Sequence, residues 1–374
     1  MIKRAIEHGI VDSMNKGKAI IIYGPRQVGK TTLVQNVLSQ LPNRWLLLNC
    51  DETDVRELLT HTTSTKLKSA IGNYKYVLID EGQRVTDIGL TLKLFTDQIK
   101  DVQVIVTGSS SFELANKINE PLTGRKFDFF LFPFWFGELS GHTSPLEEKR
   151  NLEERLIFGY YPEIVTNPGS KERLLKLLVD SYLYKDLYTT DLIKKPVVLE
   201  KILKAIALQL GNEVSLNEIA QLVNVDFQTV DKYINLLEKS FVIFTLHAFS
   251  RNVRNEIKKN RKIYFYDCGV RNAIIGNFRP VQSRTDLGAL WENFLILERM
   301  KKLSYQEKDV SRYFWRTTQQ QEIDYIEEDL DGLKAYEFKW NSKSRAKFPL
   351  TFTKNYPQAI TTLITPENFR EFIT

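Results

Sequence analysis

Eight residues, Gly24-Pro25-Arg26-Gln27-Val28-Gly29-Lys30-Thr31, constrain this chain more than any other stretch. They follow an apolar run, Ala19 to Tyr23, and precede a helix-like stretch, Thr32 to Leu41. Strand, glycine loop and helix form the context in which the G-x-x-x-x-G-K-[ST] spacing makes a phosphate site. Gly24 and Gly29 permit backbone conformations closed to other residues. The loop N–H groups then converge on phosphate oxygens, and the helix N-terminus adds its positive end. Lys30 is expected to reach the β- and γ-phosphates, and the Thr31 hydroxyl to bind Mg²⁺. ATP and Mg²⁺ are therefore the expected cofactors, and Thr32 completes the expected nucleotide-contacting set.

At 374 residues the chain has room for two or three domains. A hydrophobic content of 43% beside 26% charged residues is that of an ordinary globular protein. No apolar run is long enough to span a membrane. The start, Met1-Ile2-Lys3-Arg4, lacks the apolar core of a signal peptide, so a cytoplasmic location is expected. Cys50 and Cys268 are the only cysteines, which excludes a disulfide framework. Four histidines without ligand-like clustering argue against a zinc site.

Ile2, Ala5, Ile6, Ile10 and Met14 recur near helical spacing, so a helix should lead into the first strand. Arg44 to Asn49 reads as a second strand. Lys75-Tyr76-Val77-Leu78-Ile79-Asp80-Glu81 reads as a buried parallel strand delivering two carboxylates at its C-terminal end. Asp80 is expected in the Mg²⁺ shell, and Glu81 as the base that polarises water. Val102 to Val106 predicts a further strand, ending in Thr107-Gly108-Ser109-Ser110-Ser111. Those hydroxyls either sense the γ-phosphate or cap a helix. Leu122-Thr123-Gly124-Arg125 precedes a strand from Phe127 to Phe132. Arg125 is either a charge-stabilising arginine, in cis or for a neighbour, or a surface ion pair.

Through GPRQVGKTT, LIDEGQ, TGSSS and LTGR, the chain resembles prokaryotic AAA-type P-loop ATPases that carry a C-terminal region of unassigned function. Pro133-Phe134, Phe136-Gly137-Glu138-Leu139, Phe158-Gly159-Tyr160-Tyr161-Pro162-Glu163 and Lys185-Asp186-Leu187 also fit that group. Tyr160 stands where the group has a second glycine. The resemblance implies a five-stranded additional-strand P-loop core.

Glu147 to Asp191 reads as a helical connector, with Leu152, Leu156, Phe158, Leu174, Leu175, Leu178, Val179, Tyr182 and Leu183 as its apolar positions; Pro196 marks a boundary. Ser215-Leu216-Asn217-Glu218 is a capping box, and Asp226 caps a second helix striped by Val230, Tyr233, Ile234 and Leu237. Strands from Phe241 to Phe249 and Lys262 to Asp267 complete a winged helix-turn-helix. Its second helix should expose Gln228, Thr229, Asp231, Lys232 and Asn235. The hairpin tip carries Arg251, Arg254, Lys258, Lys259, Arg261 and Lys262 against one acid, Glu256, which suits a DNA backbone or simply a solvated loop.

In the last segment Leu287, Leu290, Trp291, Phe294 and Leu295 predict an amphipathic helix. Arg312 to Arg316, Glu322 to Ile326 and Leu333 to Trp340 predict strands. Alternation puts Glu337 and Lys339 on one face, where Asp324 can join them. Helix, meander, then acid and acid-x-lysine resembles the PD-(D/E)XK nuclease fold, with Ile323 in place of its proline. That resemblance implies Asp324 and Glu337 as Mg²⁺ ligands, Glu292 supporting the metal, and Lys339 beside the scissile phosphate. Glu322 is a decoy acid on the same face as Asp324.

The expected fold is α/β: an ATPase core over residues 1–145, a connector over 146–195, a winged helix-turn-helix over 196–280 and a nuclease-like domain over 281–374. The expected function is an ATPase acting on DNA with a possible Mg²⁺-dependent nuclease tail, as a possible homo-oligomer with no membrane partner. A signalling switch with a protein-binding tail, or a DNA binder with an inactive tail, are the alternatives.

Overall fold

The computed structural model describes residues 2–109, 118, 121–180, 195–250, 261–344 and 348–374. The chain divides into two compact units. One is Met1–Phe134 with Lys239–Phe241, and the other is Trp135–Glu238 with Val242–Thr374.

The first unit is a parallel sheet of β1 (Ala19–Tyr23), β2 (Trp45–Asn49), β3 (Tyr76–Asp80), β4 (Gln103–Gly108) and β5 (Lys126–Phe130). Its order is β2-β3-β4-β1-β5, so β4 is the strand added between β1 and β3. Ile20, Ile21, Ile22, Val77, Leu78, Ile79, Ile105 and Val106 are fully buried. A parallel sheet covered on both faces demands such continuous apolar strands. Helices Lys30–Ser39, Thr53–Leu59, Ser64–Ile71 and Ile88–Gln98 make the crossovers. Every strand therefore ends on one edge, where the glycine loop, Asp80 and Thr107 meet.

The second unit joins helices to a six-stranded sheet: β6 (Ile243–Ala248), β7 (Arg261–Phe265), β8 (Ser311–Arg316), β9 (Glu322–Asp329), β10 (Gly332–Phe338) and β11 (Ile360–Ile364). The order is β11-β10-β9-β8-β6-β7. Helices Pro196–Leu208, Leu216–Val223 and Phe227–Lys239 precede β6. The Ser215 hydroxyl accepts from Glu218 N and the Asp226 carboxylate from Thr229 N, at 3.4 and 2.7 Å, so the Ser215 half of the expected capping box and the Asp226 cap both form. β6 and β7 form the expected hairpin, yet they are no separate wing. His247 and Ala248 of β6 pair in parallel with Tyr313 and Phe314 of β8, so one sheet crosses the expected division at residue 280. Alternation marks a strand but not its partner, and β6 offered a free edge to β8.

The helix Leu287–Tyr305 is buried along most of its length. Trp291 is fully buried, stacks on Phe294 at 5.5 Å, and meets Trp340 and Phe369 edge-on at 5.3 and 5.6 Å. Each such side chain contributes roughly 1.5–3 kcal/mol of transfer free energy, which fixes Glu292 on the same helix against the sheet. No described helix is long and apolar enough to cross a membrane.

Candidate nucleotide site and second acidic centre

The first site lies on the C-terminal edge of β1, β3 and β4. Gly24 has φ +151, and a Cβ there would stand 2.1 Å from Leu131 O, so the loop tolerates no side chain at that position. Gly29 has φ +89 and opens the helix Lys30–Ser39. Gln27 also takes a positive φ, 58°, completing the loop's curl. Lys30 is buried, and its ammonium donates to Gly24 O at 2.9 Å and Pro25 O at 2.7 Å. Burial lowers its pKa to about 8, against the opposing pull of Glu81 and Asp80. The Thr31 hydroxyl donates to Asp80 Oδ1 at 2.8 Å, and Thr107 donates to the same oxygen. Thr31, Thr107 and Asp80 thus converge where a cation beside phosphates would sit, and a hard cation needs only one or two protein oxygens there.

Glu81 stands at φ +54, and its Oε2 accepts from Gln83 Nε2 and, at 3.1 Å, from Ser109 Oγ. Arg26 Nε reaches Ser109 Oγ at 3.3 Å. Ser109 therefore joins the loop to the acid, while Ser110 and Ser111 lie outside the described residues. Val28 is buried, Thr32 is exposed, and Val28 O accepts from Arg4 at 2.8 Å. Arg4 also donates to Phe132 O at 2.6 Å and lies over the Phe134 ring, bracing the loop from below. Sequence reasoning missed Arg4 and Gln83. Gln83 carried a signal, two residues after Glu81; Arg4 carried none.

Arg125 sits at the other end of the sheet. Its carbonyl accepts from Ala19 N, at the start of β1, and its guanidinium pairs with Asp97 at 2.8 Å on the surface. The loop begins after Tyr23, roughly 13 Å away at about 3.3 Å per strand residue. Arg125 thus forms the surface ion pair that was the alternative expectation, at the end of β1 away from the loop, a placement the short LTGR stretch did not reveal.

The second centre gathers the acids of the tail. Continuing the β9–β10 ladder past Tyr336↔Tyr325 sets Glu337 opposite Asp324. Asp324 Oδ2 accepts from Phe338 N at 2.8 Å, and Lys339 Nζ pairs with Glu337 Oε2 at 3.1 Å. Glu292 comes to them from the helix. Burial raises its carboxyl to about 7, Lys262 pulls it down, and the Asp324 charge raises it further. Burial and then the Asp324 charge raise Glu337 as well. The four residues Glu292, Asp324, Glu337 and Lys339 are therefore brought together.

Their use as a metal centre does not fit the contacts around them. Lys262, expected on a solvent-facing basic tip, is 1% exposed. Its Nζ lies 2.9 Å from Glu292 Oε1 and pairs with Glu322. Tyr264 donates to the same Glu292 oxygen at 2.5 Å. Glu322 also meets Arg316 at 3.5 Å, so the decoy acid is an ion-pair partner. Among the described residues no group of three or more Asp, Glu, His or Cys side chains is arranged to hold a metal ion. Lys262 is thus corrected from a DNA contact to an internal cation. Arg261 keeps partial exposure and pairs with Asp231 at 3.5 Å. Arg251, Arg254, Lys258 and Lys259 lie outside the described residues, as does Lys185-Asp186-Leu187. A Lys-x-Tyr spacing on β7 was the available signal for an inward face.

Residues 16–140 match the AAA domain family, residues 149–280 a domain of unknown function (DUF8612), and residues 287–371 another (DUF4143). The Walker-type ATPase of Pyrococcus abyssi superposes with a TM-score of 0.52 at 17% identity, over 73% of this chain and 96% of that one. An uncharacterized protein of Mycobacterium tuberculosis is 24% identical over 329 residues, covering 84% of this chain and 69% of its own length. One from Haemophilus influenzae is 24% identical over 212 residues, covering 54% and 52%. The first unit thus resembles a Walker-type P-loop ATPase in its parallel sheet core and carries the AAA-domain match over residues 16–140, and a further α/β unit follows.

Proposed function

We propose that the chain binds and hydrolyses ATP at the glycine loop. The observation that carries this is the Thr31–Asp80 hydrogen bond at the strand edge, with Glu81 next in sequence and Lys30 inside the loop. Backbone N–H groups of the loop from Arg26 to Thr32 would hold the phosphates, and Lys30 would exchange its two loop carbonyls for phosphate oxygens. Thr31 and Asp80 would hold Mg²⁺, whose chemistry is to neutralise charge on the phosphate oxygens. Glu81 would take the proton of the attacking water once released from Gln83 and Ser109. ATP turnover by the purified chain, set against Glu81→Gln, tests the reading.

Arg125 would then serve a neighbouring copy in a homo-oligomer. Mixing Arg125→Ala with Lys30→Ala chains should restore part of the ATPase activity, since one intact loop meets one intact arginine. Two associated, folded variants that recover nothing at any ratio would remove Arg125 from the mechanism.

For the second unit, the capped helix pair and the basic residues of the 251–261 stretch support duplex DNA as the partner, bound without metal-dependent cleavage. Replacing Arg251, Arg254, Lys258 and Lys259 with Gln should weaken binding to all duplexes alike. It should also reduce the slope of log affinity against log salt by about 0.9 for each phosphate no longer neutralised. An unchanged slope would rule out this segment as the phosphate-binding surface.

A further inference from the structure

Lys262 enters the second unit from β7, an edge strand. A lysine on an edge strand ordinarily carries its head to water along a flexible stem. Here the head turns inward. Its ammonium touches Glu322, lies 2.9 Å from Glu292 Oε1, and stands 5.4 Å from the centre of the Phe314 ring. Tyr264, on the same face of β7, completes the coordination of that Glu292 oxygen. Burial by itself disfavours a charged lysine, but Glu292, Glu322 and Asp324 outweigh it and hold the pKa above the ordinary value. Lys339, the residue after β10, supplies a second positive charge, bonded to Glu337. Two ammonium groups of the chain itself, Lys262 and Lys339, thus stand among Glu292, Asp324 and Glu337.

A divalent cation would compete with these donors for the same carboxylates. Glu292 Oε1 already accepts from two donors, and Asp324 Oδ2 accepts from a backbone N–H. An incoming ion would also stand close to an ammonium in a site with little water, where like charges repel strongly. The geometry points to Lys262 as a built-in cation that occupies this acidic centre in place of a divalent metal, so that the centre binds no such ion while Lys262 is seated. Glu292 then tethers Lys262, and the helix Leu287–Tyr305 is tied to β7 through that ion pair. None of this rests on the ATPase reading.

Mn²⁺ binding to the nucleotide-free full chain, followed by electron paramagnetic resonance, tests it. The signal of this centre is the part removed by Asp324→Asn. The parent should show no such part at millimolar Mn²⁺. Lys262→Met keeps the stem and removes the charge, so it should gain one Mn²⁺ site at least tenfold tighter, which Asp324→Asn abolishes. Its thermal midpoint should rise with Mn²⁺, while that of the parent stays fixed. If Lys262→Met is loosely folded without metal, Mn²⁺ should restore its near-ultraviolet circular dichroism. Lys262→Arg, which keeps the charge, should show no Asp324-dependent Mn²⁺ signal. Asp324-dependent Mn²⁺ binding by the parent or by Lys262→Arg overturns the inference. So does a folded Lys262→Met chain that gains no site. If Lys262→Met folds under neither condition, the parent and Lys262→Arg decide by the same criterion.

Discussion

Lys30→Ala is expected to weaken ATP binding by roughly 10- to 100-fold or more, as fits the loss of charge-assisted hydrogen bonds worth about 1.5–3 kcal/mol. The fold should survive. Burial holds the Lys30 amine at about 8 in the folded chain, against 10.5 as its ordinary value. Between those values the unfolded chain binds more protons than the folded one, so this residue makes stability rise with pH across that window. Below it, the buried charge costs about 3 kcal/mol, at about 1.4 kcal/mol for each unit of pKa. Lys30→Ala removes that cost together with the rise between pH 8 and 10.5. Equilibrium dialysis with labelled ATP reads the binding, and urea unfolding at several pH values reads the slope. A variant that binds ATP as the parent does would remove Lys30 from the phosphate site.

Glu81→Gln is expected to keep nucleotide binding and slow turnover by roughly 10²- to 10⁴-fold, the range for losing a general base. The amide preserves shape and one acceptor oxygen, so the hydrogen bond from Ser109 can remain. What it loses is the capacity to take a proton. The positive φ of Glu81 comes from the turn out of β3, a backbone feature that Gln meets equally well. Single-turnover measurement of phosphate release separates this from a binding defect. Parent-rate turnover with bound ATP would show that another group positions the water.

The two variants report on different links of the same chain. Gly24, Gly29 and the buried isoleucines of β1 create the loop, the loop places Lys30, and β3 delivers Asp80 and Glu81 beside it. Lys30 and Glu81 are both held by neighbours, Lys30 by loop carbonyls and Glu81 by Gln83 and Ser109. Nucleotide entry must exchange these partners, which makes Gln83 and Ser109 positioning residues in the proposed mechanism.

The amino-acid sequence by itself determined the P-loop core. Spacing within Gly24–Thr31 and the apolar run ending in Asp80-Glu81 are local patterns, and a parallel sheet writes its burial directly into such runs. It also determined the caps at Ser215 and Asp226, because a cap and its target lie three residues apart. Glu337 and Lys339 shared a face by strand alternation alone. Strand pairing, side-chain direction at an edge and chain sense across a sheet were decided only in three dimensions. Pairing joined β6 to β8 and merged the hairpin with the meander. Strand direction put Arg125 at the far end of β1 from the loop. Lys262 turned inward because Glu292 and Glu322, 30 and 60 residues on, offered enough negative charge to offset its burial. A basic residue reads the same in sequence whether water or buried carboxylates surround it; the Lys-x-Tyr spacing of β7 hints at the face, but the partners are fixed by packing between distant segments.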